Sequence, residues 1–277
     1  MSVGAGARVA AVLVPLVFYP LAILLGWRVA TESTAESLAN IHAARLGTAE
    51  EKTAYAGKWL LENATFGWYD GASLVDADYA AAVSLAADHG ARAITASVAL
   101  ALLTIPFLVW ARLSLPRRSA IRHMCLASAV LFGTGICATA LSLVSFKDVP
   151  VLGTVIFKYD ARGILSAILR LFSTGHRVLG AVICLFSIVI PIVKLGLVLA
   201  ATSSRRIVHE RAVRAIHMVG KWSMADVFVM SVLIAMFAIG SDDTTDARPG
   251  PGLWFFAGYC LASIWAAGLL ERDSFRA

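Results

Sequence analysis

FSIVIPIVKLGLVL, Phe186 to Leu199, carries one charge, Lys194, inside an apolar run that extends from Val178 to Ser204. A hydrocarbon core of about 30 Å needs roughly 20 apolar residues in a helix, so a run of this length reads as a membrane span. Charge-free runs of similar size cover Val9–Trp27, Ala93–Ala111, Met124–Phe146 and Gly252–Leu270. A further run, Ser223–Gly240, holds only Asp226, near its start. Six spans are therefore expected. The first run is too long for a signal-peptide core, is interrupted by Pro15 and Pro20 and lacks a small-x-small cleavage site, so it reads as a retained anchor.

Composition agrees with that reading. The chain is 59% hydrophobic and 15% charged, against about 45–50% and 25% in soluble domains. The net charge of +6 fits basic cytoplasmic loops better than nucleic-acid binding. Cys125, Cys137, Cys184 and Cys260 each lie in an apolar run, with no C-x-x-C pair. They read as small buried hydrophobes; no metal and no cofactor are expected.

An even number of spans puts both ends on one side. With the ends inside, the inner segments hold Arg8, Arg112, Arg117, Arg118, Arg122, Arg205, Arg206, Arg211, Arg214, Lys221, Arg272 and Arg276. Only Glu210, Glu271 and Asp273 oppose them. Basic residues are denser there than outside, which favours N-in and C-in. Residues 28–92, rich in Ala and helix formers, are expected to form two or more helices outside the membrane. In the Lys147–Arg177 loop, Ile164, Leu165, Ile168, Leu171 and Phe172 recur at helical spacing. They predict a short amphipathic helix, either at the outer interface or packed on the bundle. The fold class is all-α: a six-helix membrane bundle comprising a two-span N-terminal unit, 1–111, and a four-helix module, 121–277.

Candidate functional residues follow from what a bilayer disfavours. A lysine at mid-span costs at least ~2.5 kcal/mol and usually faces the bundle or a wet cavity. Lys194 lies roughly 16 Å along the helix from Arg205, so snorkelling to the headgroups is the alternative. Pro191 lacks an N–H and leaves the carbonyl of Ser187 without its helical partner. Ser187, Pro191 and Lys194 recur at i, i+4 and i+7, on one face. In Gly220-Lys221-Trp222-Ser223-Met-Ala-Asp226, serine and acid fit a capping box. Asp226 is also a candidate counter-charge for Lys194, and the two roles are compatible. Pro249-Gly250-Pro251-Gly252 forbids helix until the last span begins, where Trp254 sits at interface depth.

These motifs in this order, FSIVIPIVKL, GKWSMADVFVMSVLIA and PGPGLWFFA, resemble the paraquat-inducible protein A family across about Ile121–Ala277. Family members commonly carry paired modules, each behind a cysteine-rich zinc ribbon. This chain has one module, no ribbon cysteines and a two-span unit in front. The resemblance implies a non-enzymatic inner-membrane protein of bacterial envelope lipid transport and membrane integrity. Membrane lipids would be its ligands and a periplasmic MCE-type (mammalian-cell-entry-type) protein its partner. It carries over Lys194, Ser223, Asp226 and Pro249 to Gly252 as the module's functional positions. A non-transporting scaffold or stress-response regulator is the alternative. A quinone or haem protein is less favoured, because the six histidines fall in loops or at span edges rather than on facing helices.

Overall fold

The computed structural model describes residues 5–46, 48–65, 70–149, 153–202 and 245–274. Helix α1 (Ala5–Leu46) and helix α3 (Gly71–Ser114) form a long antiparallel hairpin, with α2 (Ala49–Ala64) between them in sequence. From Pro15 to Ser37 the buried positions of α1 are Pro15, Phe18, Ala22, Gly26, Val29, Ser33 and Ser37. Their spacing of three or four keeps them on one face, and most are small, which lets helices in lipid approach closely. On α3 the matching stripe runs Gly90, Ala93, Ala96, Leu100, Thr104, Phe107 and Ala111. Phe18 stacks on Phe107 with ring centroids 3.6 Å apart. A hydrogen bond of 2.6 Å between His89 Nδ1 and the Glu32 carboxylate joins the two helices across the hairpin.

Helix α4 (Arg117–Cys137) leans on this hairpin, where Tyr19 Oη and His123 Nδ1 hydrogen-bond at 2.9 Å. After α4 come strands β1 (Thr139–Val149) and β2 (Gly153–Gly163), then α5 (Ile164–Ser173). Helix α6 (Arg177–Cys184) passes through a π-helical turn, Leu185–Val189, into α7 (Ile190–Ala201). Strand β3 (Thr245–Pro249) leads to α8 (Pro251–Ser274), which packs along α4 through Phe132, Phe256 and Tyr259. Gly135 makes that approach close, since a Cβ there would sit 2.6 Å from the Phe256 backbone nitrogen.

Five helical stretches among the described residues are long and apolar enough to cross a membrane. The expected span Ser223–Gly240 lies outside the described residues. An all-α bundle needs one correction: the protein also contains a three-stranded antiparallel sheet of order β2-β1-β3. Thr139 pairs with Gly163 and Val149 with Gly153, while Leu141 to Ser145 pair with Pro249 to Thr245. The third span is accordingly shorter than expected, ending at Cys137 rather than Phe146. From Thr139 onward the two neighbouring strands satisfy the backbone groups that the helix gives up.

The helices expected within 28–92 are present, but two are continuations of the spans, since α1 runs on to Leu46 and α3 starts at Gly71. Helix α5 forms where its periodicity predicts. Ile168 is buried against the bundle, whereas Leu165, Leu169 and Phe172 remain exposed.

Candidate functional site

Lys194 is 4% exposed. It is therefore turned into the protein and is not drawn out to the surface. Ser187 and Pro191 are buried on the same face, as their spacing requires. The π-helical turn just before Pro191 rearranges the backbone around the missing donor: the Ile190 N–H reaches back five residues to the Leu185 carbonyl. One turn on, the Cys125 thiol donates to the Leu195 carbonyl at 3.4 Å. Lys221, Trp222, Ser223 and Asp226 lie outside the described residues.

The Pro249-Gly250-Pro251-Gly252 motif has a geometric reason. It carries the chain from β3 into α8 directly against the junction of α4 and β1. The Gly250 N–H donates to the Ala140 carbonyl at 2.9 Å. A Cβ on Gly250 would collide with the Thr139 carbonyl oxygen, and one on Gly252 with that of Ala138. Pro249 closes the strand and Pro251 opens the helix, where its lost N–H is not needed.

Beside this junction lies a cavity of about 990 Å³, at the upper end of the range for ligand pockets (~300–1,000 Å³). One long wall is α3, from Ala93 and Ile94 through Ala101 and Ile105 to Val109. The opposite wall is α8, with Pro251, Trp254, Phe255, Leu261 and Trp265. These walls are apolar apart from Ser97 and Thr104 on α3, whose hydroxyls donate to the helix's own carbonyls at Ala93 and Leu100. Polar groups collect at the sheet end: Glu36, Ser33 and Ser37 from α1, Thr139 and Ser142 from β1, Tyr159 from β2 and Arg248 from β3. Three of them form a buried network. Ser33 accepts from the Thr139 backbone N–H at 3.2 Å, the Thr139 hydroxyl donates to the Ser33 carbonyl at 3.0 Å, and Ser37 meets Thr139 hydroxyl to hydroxyl at 3.0 Å.

Tyr159 reports the electrostatics of this end. Burial raises its pKa above the usual tyrosine value, and the Glu36 carboxylate nearby adds to the rise. Hydrogen bonds with Ser142 and Asn40 and the charge of Arg248 act in the opposite direction. A carboxylate and a guanidinium thus both lie within electrostatic reach of one phenol. Glu36, Tyr159 and Arg248 carry no motif, and sequence reasoning did not single them out. The available signal was the stripe Ser33, Ser37, Asn40 beside Glu36 in a helix otherwise rich in Ala.

Among the described residues, no group of three or more His, Cys, Asp or Glu is placed to hold a metal. The cysteines are less uniform than expected. Cys125 and Cys260 are buried, Cys184 is half-buried, and Cys137 is exposed at the end of α4. His89 and His123 sit within helices, engaged by Glu32 and Tyr19.

Fold and site together define a multi-span helical membrane protein with an elongated cavity, apolar along its walls and polar at one end. The chain belongs to the paraquat-inducible protein A family, whose profile matches residues 121–275. No curated protein and no solved structure matches it. The family match takes in α4 through α8, while α1 to α3 precede it.

Proposed function

We propose that the protein is a lipid-handling component of the bacterial inner membrane that binds rather than chemically converts its ligand. It serves envelope lipid transport together with a periplasmic MCE-type partner. The observation that carries this reading is the cavity between α3 and α8, whose division into apolar walls and one polar end matches the division of an amphiphile. Its α3 wall runs from Ala93 to Val109, roughly 24 Å at helical rise. One leaflet of hydrocarbon is about 15 Å deep, half the ~30 Å core, so the groove is long enough for an extended acyl chain. The sheet gathers at the end shared by the C-terminus of α1 and the N-termini of α3 and α8. N-in and C-in topology makes that end periplasmic, where a lipid would pass to a soluble partner.

Lipid analysis of the purified full-length chain tests this. About one lipid per chain should survive exhaustive detergent exchange, and Ala101→Trp, which fills the groove, should abolish its retention. A wild-type protein that keeps no lipid would refute the reading.

A further inference from the structure

The two-span unit that precedes the family module supplies about half of the cavity's lining. Glu36 and Ser33 come from α1 and the whole of one apolar wall from α3, whereas Arg248, Tyr159 and the α8 wall come from the module. We propose that the unit and the module together form a headgroup-selective lipid site for a zwitterionic aminophospholipid, with the phosphate at Arg248 and the ammonium at Glu36. This deepens the lipid-handling reading and rests on it.

Three observations support the assignment. The first is access. Ile94, Val98 and Ile105 on α3 and Trp254 and Leu261 on α8 line the cavity, yet are more than half exposed. The groove is therefore open along its length, and a lipid can enter sideways from the bilayer without its chains crossing water. The second is the pairing of charges. A guanidinium presents a planar fork of donors suited to phosphate oxygens, and a carboxylate only accepts, which suits a primary ammonium with three N–H donors. A headgroup bearing both signs can meet Arg248 and Glu36 at once. A phosphoglycerol headgroup brings no cation to Glu36, and a choline headgroup brings a cation without N–H donors.

The third is the support of the carboxylate. Gly90 on α3 leaves room for it, because a Cβ there would lie 3.1 Å from Glu36 Oε1. One turn earlier Glu32 is tied to His89, so Glu36 is the α1 acid that borders the cavity.

The test uses the full-length chain, delipidated in detergent and offered equal amounts of phosphatidylethanolamine, phosphatidylcholine and phosphatidylglycerol with matched acyl chains. Native mass spectrometry reads the bound lipid. The wild type should hold phosphatidylethanolamine about tenfold over each of the others, the scale of one charge-assisted hydrogen bond. Glu36→Gln should remove that preference by lowering phosphatidylethanolamine occupancy about tenfold, to the level of the other two lipids, and Glu32→Gln, outside the cavity, should leave the preference intact. Arg248→Gln should weaken binding of all three lipids. Equal occupancy by the three lipids in the wild type, or a preference that survives Glu36→Gln, would overturn the headgroup assignment while leaving lipid handling in place. Failure of the wild type to bind any lipid would instead overturn the reading beneath it.

Discussion

Gly250→Ala is the sharpest structural perturbation available at the junction that shapes the cavity. The added methyl would occupy the space of the Thr139 carbonyl oxygen, and it would also lie 2.9 Å from the Thr139 carbonyl carbon. The obstacle is backbone held in a sheet, so a rotamer change cannot relieve it. Either β1 or the start of α8 must shift, and the bond from the Gly250 N–H to the Ala140 carbonyl lengthens in both cases. Overpacking of this kind costs about 1–3 kcal/mol and a lost backbone hydrogen bond about 0.5–1.5 kcal/mol. The total, about 1.5–4.5 kcal/mol, corresponds at roughly 2–4 °C per kcal/mol to a melting temperature lower by on the order of 3–18 °C for a chain of this size. Thermal unfolding in detergent, followed by fluorescence-detected gel filtration, measures it. Gly196→Ala on α7 is the control, because a Cβ there meets nothing within 4 Å and alanine favours helix by about 0.5–1 kcal/mol. If Gly250→Ala melts with or above the wild type, the close approach of β3 to the α4–β1 junction is wrong.

Lys194→Met and Asp226→Asn should each impair stability or function, with the double variant losing less than the sum. Removing one member of a desolvated pair typically costs ~3–5 kcal/mol, and strict additivity would reject the pairing. In a background with the four cysteines replaced, an impermeant thiol reagent added from the periplasm should label Gly57→Cys on exposed α2 and spare Arg118→Cys. The opposite pattern would invert the topology. Elemental analysis of the purified protein should find no stoichiometric zinc, since among the described residues no ligand cluster is present; about one zinc per chain would contradict this.

The spans were legible in the sequence because a bilayer demands long apolar runs, and five of the expected ones coincide with described helices. The sheet was not. ATALSLVSF, Ala138 to Phe146, is apolar enough to extend a span, and a short apolar run does not reveal its own period. What ends the helix is pairing on both sides of β1, with β2 through a hairpin and with Thr245 to Pro249 a hundred or more positions away, and the second of these no local signal carries. The buried lysine face was legible, because charge and proline at helical spacing are rare in lipid-spanning sequence. The cavity was hidden for another reason. Its lining comes from α1, α3, α4, the sheet and α8, and most of its residues are ordinary for a membrane helix. Only their juxtaposition makes a site, and Glu36 and Arg248 become partners in one only when α1 and β3 are brought to the same end.

The central claim, a lipid site between the N-terminal unit and the family module, is tested most directly by an electron cryo-microscopy map of the full chain in lipid nanodiscs. An elongated density lying between α3 and α8, reaching from Trp265 to a head beside Arg248 and Tyr159, is the predicted result. A map in which α3 and α8 close upon each other, with Ile94, Ala101 and Trp254 packed side chain to side chain and no density between them, would contradict the account.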